Sequence, residues 1–129
     1  MNTHVNSTET HVSVTLFTEE PQVFSHSFSG FDWSYGSQGI AEASIIGVGE
    51  WYLNRIKVNI RGQGYGSDLL RVLLETLAIR KDFAQLVVEP GGYGSDPKRL
   101  VKFYERQGFV RNDERECWIW SNYLNTLHR

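Results

Sequence analysis

The segment from Arg61 to Ser67 carries the residues whose types and spacing are best suited to chemistry. It reads Arg-Gly-Gln-Gly-Tyr-Gly-Ser, so three glycines fall within five residues. Glycine allows a sharp backbone turn and lets a ligand come close to the main-chain amides. A helix start that follows such a turn favours an anion, because its free amides carry about half a positive charge. The pattern predicts a phosphate-binding loop formed by Arg61, Gly62, Gln63, Gly64, Tyr65, Gly66 and Ser67.

Two common phosphate-binding loops fit this segment poorly. A P-loop nucleotidase has a lysine after its last glycine, whereas Gly66 is followed by Ser67 and Asp68. A dinucleotide-binding fold has the spacing Gly-x-Gly-x-x-Gly near its first strand. Here the spacing is Gly-x-Gly-x-Gly, and predicted strands precede it. Both interpretations are weakened, so other motifs must identify the ligand.

The hydrophobic pattern before the loop predicts strands. Residues 1–10 have few apolar side chains and are expected to form a loose arm. Residues 29–39 combine turn residues with large aromatic side chains. Alternating apolar residues predict strands at 11–17, 22–28, 40–46 and 50–59, the last two joined in a hairpin near residues 47–49.

The pattern after the loop changes to that of helices. Leucines recur every three or four residues between 67 and 81, which predicts an amphipathic helix. A short strand is expected at 84–89. A second helix begins at Asp96-Pro97 and ends at Gly108. A hairpin around the charged turn 111–116 closes the chain. This order predicts an α/β (α+β) fold with a mixed sheet.

Composition limits the classes of function. The 129 residues fit one domain, 1–129, and 40% hydrophobic content is enough for a core. A net charge of −2 predicts no general attraction to nucleic acid or to a membrane surface. Cys117 is the single cysteine, and the N-terminus lacks the layout of a signal peptide, so we expect a cytoplasmic protein. The histidines have no ligand spacing, so no metal site is expected.

Two motifs together resemble a known family. The run Ile-Lys-Val-Asn-Ile-Arg-Gly-Gln-Gly-Tyr-Gly at 56–66, followed by two leucines, resembles the acetyl-CoA signature Gln/Arg-x-x-Gly-x-Gly/Ala of the GNAT acetyltransferases. The run Phe-Tyr-Glu-Arg-Gln-Gly-Phe at 103–109 resembles the second GNAT motif, Tyr-Glu-Lys-x-Gly-Phe. The glycine pattern alone is weak, but both motifs in this order, with one predicted strand between them, are specific.

The resemblance implies a fold and a reaction. The fold would be a mixed, mostly antiparallel central sheet with flanking helices, in which the strands on either side of the first helix splay into a V that holds the pantetheine arm. The reaction would transfer an acetyl group from acetyl-CoA to a primary amine, by a monomer or homodimer. GNAT domains usually place two helices between their first two strands, but only four residues separate Phe17 from the next predicted strand. The N-terminal helical region is therefore expected to be reduced.

The reduced region leads to a hypothesis about the acceptor. An open cleft would suit a lysine or N-terminus of a protein better than an enclosed metabolite. The aromatic residues 31–35 either line this cleft or cover an edge of the core.

The resemblance also implies roles for individual residues. Tyr104 matches the tyrosine that protonates the departing thiolate, and the match of the whole motif favours this role over the alternative, an amphipathic core tyrosine. Glu50 occupies the strand position of a catalytic glutamate, so it is the candidate base, with a solvated carboxylate as the alternative. A backbone amide of Asn54, Arg55 or Ile56 would stabilise the thioester oxygen. The basic residues Lys98, Arg99 and Lys102 are expected to form a solvated helix face, with the option of reaching the cofactor's phosphates.

Two other classes of function stay open. One is a catalytically idle GNAT-like domain that binds CoA or a protein partner. The other is a small nucleic-acid-binding α/β domain, which the net negative charge makes less favourable.

Overall fold

The computed structural model describes residues 2–17, 37–59, 64–90 and 97–121. These residues form seven strands and two helices: β1 (Asn2–Ser7), β2 (His11–Phe17), β3 (Ser37–Gly47), β4 (Glu50–Val58), α1 (Tyr65–Ala78), β5 (Gln85–Val88), α2 (Pro97–Arg106), β6 (Val110–Asn112) and β7 (Cys117–Ser121). The strands lie in one sheet in the order β1-β2-β3-β4-β5-β7-β6. Only β4 and β5 are parallel neighbours. This mixed, mostly antiparallel sheet with helices confirms the predicted fold class.

The first strand corrects the expectation of a loose arm at residues 1–10. β1 pairs antiparallel with β2, from Asn2 opposite Phe17 to Ser7 opposite Val12. Residues 3–10 are all exposed, so the strand buries almost no apolar surface. The sequence pattern therefore held no signal for it, because main-chain hydrogen bonds rather than buried side chains attach this strand to the sheet.

Arg80 ties the turn after β1 to the rest of the molecule. Its guanidinium donates to Ser7 Oγ at 2.7 Å and to the carbonyl oxygen of Thr8 at 2.8 Å. The same group forms two hydrogen bonds of 2.8 Å to the carboxylate of Asp82. It also lies over the ring of Trp51, 4.8 Å from the ring centroid. One side chain thus joins the sheet edge, the end of α1 and the core.

The connection between the first two described strands contains no helix, in agreement with the predicted reduction of the N-terminal helical region. Residues 8–10 alone join β1 to β2, and the Thr8 amide donates to the carbonyl oxygen of His11 at 2.8 Å. The short connection lies one strand earlier than we expected, because β1 was not foreseen. The predicted strand at 22–28 and the aromatic residues 31–35 lie outside the described residues.

Helix α1 covers one face of the sheet. Its buried stripe consists of Leu69, Leu70, Leu73, Leu74 and Leu77. These leucines pack against inward-facing residues of β2, β3 and β4 in one hydrophobic cluster. Gly39 of β3 lets the helix approach closely, because a Cβ there would lie 2.8 Å from both Leu69 Cδ1 and the Lys57 carbonyl oxygen. Neither helix of the described residues has the length and hydropathy that a bilayer span requires.

The pairing of β4 with β5 produces the predicted V. It covers three residues of each strand and ends where Tyr52 faces Val87. On the other side of β4, the register with β3 shifts so that Asn54 is an extra residue between Leu53 and Arg55. Such a bulge bends and twists a strand. Beyond Tyr52, β4 pairs with no strand on its β5 side within the described residues.

Candidate functional site

The first turn of α1 forms one wall of the candidate site. Gly64 precedes the helix in the left-handed conformation, with φ of 76°, which glycine adopts without strain. The first helical hydrogen bond runs from the Asp68 amide to the Gly64 carbonyl oxygen at 3.1 Å. The amides of Tyr65, Gly66 and Ser67 therefore precede the helical ladder and are available to a ligand. Arg61, Gly62 and Gln63 lie outside the described residues.

Close contacts join the start of α1 to α2. A Cβ on Gly66 would lie 3.7 Å from the ring of Phe103. The Gln107 side-chain amide donates to Ser67 Oγ at 3.2 Å. The amide-bearing turn and α2 therefore face each other across a narrow gap, which the Gln107–Ser67 hydrogen bond spans at one point.

A cavity of about 420 Å³ occupies this gap. It lies between the end of β4, the start of α1 and one face of α2. Its lining consists of Val58, Gly64, Tyr65, Gly66, Ser67, Arg99, Lys102, Phe103 and Arg106. The described part of the predicted phosphate loop thus faces a cavity large enough for part of a nucleotide-sized ligand.

Three basic side chains of α2 line the cavity opposite the start of α1. Arg99, Lys102 and Arg106 are exposed and share one face of the helix; we call them the basic stripe. None of them forms an ion pair with another described residue. From the sequence, Arg99 and Lys102 are expected to belong to a solvated helix face, and Arg106 is not among the predicted site residues. Their spacing of three and four residues was the available signal.

Tyr104 is fixed by the C-terminal cap of α2. The Phe109 amide donates to the Tyr104 carbonyl oxygen and the Gly108 amide to that of Glu105, both at 3.1 Å. With φ of 97° at Gly108, this is a Schellman motif. The rings of Tyr104 and Phe109 meet edge to face at 5.2 Å. The Tyr-x-x-x-Gly-Phe run of the sequence is therefore the cap that orients the tyrosine.

The Tyr104 side chain is almost fully buried, with 4% of its surface exposed. Burial, together with the nearby Tyr52 phenol, raises the pKa of Tyr104 to about 12. Its hydroxyl has no hydrogen-bond partner among the residues that the structure describes. A protonated donor without a partner therefore lies in the interior, available to an acceptor that enters the site.

Tyr52 was not singled out in the sequence. It packs against the small cluster of Val87, Cys117 and Ile119, on the opposite face from Trp51 and Leu53. Its phenol contributes to the raised pKa of Tyr104, and Tyr52 is the last residue of β4 that pairs with β5. Alternation along β4 also places Tyr52 on the same face as Glu50.

The β4 residues Asn54, Arg55 and Ile56 lie at and after the bulge. The Asn54 side chain exchanges hydrogen bonds with Ser44, and Arg55 forms an ion pair with Glu42. Ile56 packs against the main core. Their side chains are thus occupied, and their main-chain groups lie along the part of β4 that β5 leaves. The sequence held a signal for the bulge, because the apolar residues change phase from positions 51 and 53 to positions 56 and 58.

Glu50 makes a close ion pair that the sequence did not indicate. Both carboxylate oxygens accept from the guanidinium of Arg115, and the Gln85 side-chain amide donates to Oε2 at 3.1 Å. The hydrogen bonds and charge of Arg115 lower the pKa of Glu50. Arg115 lies in the β6–β7 turn, where its amide donates to Asn112 Oδ1 at 3.1 Å. A carboxylate held in this way is a weaker base than a free one.

Comparison with known proteins identifies the fold. No protein-family model and no curated protein matches the sequence. Among solved structures, a candidate acetyltransferase of the GNAT family from Desulfovibrio desulfuricans has a TM-score of 0.62 at 16% identity, over 87% of this chain and 69% of that one. A candidate acetyltransferase from Exiguobacterium has a TM-score of 0.64 at 11% identity, over 95% and 70%. AtaTR bound with AcCoA has a TM-score of 0.59 at 14% identity, over 94% and 74%.

These similarities agree with the strand order, the V between β4 and β5, and the turn that begins α1. At such identities, the likeness concerns the fold. The described part of this chain has the fold of the GNAT N-acetyltransferases.

Proposed function

We propose that this chain is an N-acetyltransferase that moves an acetyl group from acetyl-CoA to a primary amine. The observation that carries the proposal is the cavity between α1 and α2, where helix-start amides face three basic side chains without ionic partners among the described residues. AtaTR, a similar solved protein, is bound with AcCoA. The cofactor supplies an acetyl group activated as a thioester.

The residues around the cavity fit this cofactor. Main-chain amides from Gly64 to Ser67 suit a diphosphate, since a helix start favours an anion. Arg61, Gly62 and Gln63 would complete the loop. Gly66 has no side chain between the amides and the ligand, and Phe103 and Val58 add apolar surface. In this proposal the phosphates lie at the cavity and the pantetheine arm follows the V towards Tyr104.

Tyr104 is proposed as the proton donor to the thiolate. Its raised pKa of about 12 keeps the phenol protonated at neutral pH. Because the side chain is 4% exposed, water competes little for its hydroxyl. A hydrogen bond to a developing charge is strongest in such an environment. Main-chain groups at Asn54, Arg55 or Ile56 are proposed to stabilise the thioester oxygen.

Glu50 is proposed as the proton acceptor only when Arg115 has moved away. An amine with an ordinary pKa of about 10.4 is protonated at neutral pH and must lose a proton to react. In the ion pair, both oxygens of Glu50 are occupied and its pKa is lowered. The Arg115 side chain is 42% exposed and belongs to a turn, so an arriving ammonium group can compete with it for the carboxylate.

The acceptor is proposed to be a lysine or N-terminus of a protein or peptide. The supporting observation is the short connection at residues 8–10, which joins the first two strands where helices would otherwise add cover. The cytoplasm is the proposed location, and the buried free Cys117 is compatible with a reducing compartment.

The Glu50–Arg115 ion pair favours a second candidate, a domain that binds CoA without catalysis, because it occupies the only proposed base. The test measures acetyl-CoA binding by calorimetry and thiol release with a lysine-containing peptide. Binding with amine-dependent thiol release supports the enzyme. Binding without release identifies the idle domain, and absence of binding overturns both proposals.

A further inference from the structure

The basic stripe of Arg99, Lys102 and Arg106 carries more positive charge than a diphosphate alone requires. The three side chains line the cavity from one helix face, so their charges act on the same space. The start of α1 faces them with its own partial positive charge. Without an anion, these like charges repel each other.

The other described arginines differ from the two in the stripe. Arg55, Arg71, Arg80, Arg111 and Arg115 each form an ion pair with a carboxylate. Arg99 and Arg106 form none with any described residue, and both point to the cavity lining. Among the described arginines, only Arg99 and Arg106 therefore lack a carboxylate partner.

We propose that the basic stripe binds a terminal phosphate monoester, the 3′-phosphate of CoA, and so distinguishes CoA from dephospho-CoA. This inference rests on the proposed function. A diphosphate bridge carries about two charges, which the helix start and loop amides are suited to hold. A phosphate monoester adds roughly −1.5 to −2 at neutral pH and three acceptor oxygens. Two guanidinium forks and one ammonium group match that chemistry.

The experiment compares two ligands on four proteins. CoA and dephospho-CoA are titrated by calorimetry into the wild type and into Lys102→Gln, Arg106→Gln and Lys98→Gln. Lys98 is the matched control, because it lies on α2 and is exposed but does not line the cavity. Thermal unfolding of each variant verifies that it is folded.

The wild type is expected to bind CoA about 10- to 100-fold more tightly than dephospho-CoA. Lys102→Gln and Arg106→Gln should each lower the affinity for CoA about tenfold. The affinity for dephospho-CoA should stay within about threefold of the wild-type value. Lys98→Gln should preserve the wild-type preference for CoA.

Equal wild-type affinity for the two ligands would overturn the inference while leaving the proposed function intact. If the stripe variants lowered the affinity for both ligands equally, the inference would also be overturned, because the stripe would then bind the diphosphate. Failure to bind either ligand would remove the proposed function together with this inference.

Discussion

The charged side chains at the two ends of the candidate site differ in whether they have ionic partners. At the start of α1, the basic stripe has no ionic partners among the described residues. At the start of β4, Glu50 is held by Arg115 and Gln85. Polar groups left without partners are available to a ligand, whereas paired groups contribute to the folded structure. In the proposed function, the first end binds an anion, whereas Glu50 at the second end can accept a proton only after Arg115 has moved away.

The largest expected effect concerns Tyr104, the buried proton donor of the proposed function. Tyr104→Phe should lower kcat about 100-fold, because a positioned proton donor contributes that order of rate. The affinity for CoA, measured by calorimetry, should stay within about twofold. The melting temperature should not fall, because the hydroxyl that is removed has no hydrogen-bond partner among the described residues.

The pH–rate profile adds a check on this prediction. With a pKa raised to about 12, Tyr104 stays protonated up to pH 10, so the variant should keep the wild-type shape of the profile below that pH. A kcat within about threefold of the wild type would remove Tyr104 from the mechanism.

A smaller effect is expected from Gly66→Ala at the start of α1. Alanine favours a helix over glycine by about 1 kcal/mol, and the added Cβ would meet Phe103 at an ordinary distance of 3.7 Å. The melting temperature should therefore rise by about 3–5 °C. CoA affinity should fall about tenfold or more, because the methyl group obstructs approach to the amides.

Gly47→Ala is the control for that change. Gly47 is exposed at the β3–β4 turn, and its added Cβ would have only one neighbour within 4 Å, Glu50 Cβ at 3.9 Å. It should leave CoA affinity unchanged. An unchanged affinity in Gly66→Ala would mean that no ligand approaches this turn closely.

The smallest expected effect concerns the Glu50–Arg115 ion pair at the start of β4. Arg115→Gln should raise the pKa of Glu50 towards its ordinary value and speed acetyl transfer about threefold, since the carboxylate is freed. Glu50→Gln should slow transfer instead. Both changes should lower the melting temperature at pH 7 by about 2–4 °C, because both remove the ion pair.

The pH dependence of this loss follows from the sign of the shift. The pKa of Glu50 is lowered in the folded state, so the pair stabilises the fold above the unfolded pKa and loses its effect as pH falls through the folded pKa. The difference in melting temperature between wild type and Glu50→Gln should shrink below about pH 4.3. If Glu50→Gln and Arg115→Gln lost stability equally and neither changed the rate of acetyl transfer, the role of Glu50 would be to anchor the β6–β7 turn.

Local patterns predicted most of the fold. The leucine stripe predicted α1, and Gly108 predicted the end of α2. These features depend on residues a few positions apart. The phase change along β4 and the spacing of the basic stripe were also present in the sequence, although they were not used.

Other features depend on distant parts of the chain. The Glu50–Arg115 pair joins residues that only the sheet order β4-β5-β7 brings together. The attachment of β1 depends on main-chain pairing and on Arg80, neither of which leaves a hydrophobic pattern. Tyr52 gained significance only when the end of the β4–β5 pairing was known. Patterns in the sequence predicted the turn that begins α1 and the cap that ends α2, but not the contacts of Glu50.

The hydrogen bonds of Arg80 to the turn between β1 and β2 affect the register in which these two strands pair. Strands usually keep their alignment because a slip would move apolar residues from the interior to water. From residue 3 onwards β1 is exposed on both faces, so sliding it along β2 would sacrifice little buried area. The hydrogen bonds of Arg80 to Ser7 and Thr8, and those between Thr8 and His11, oppose such sliding. The position of this outer strand is thus encoded in a tight turn and one guanidinium group rather than in a hydrophobic interior.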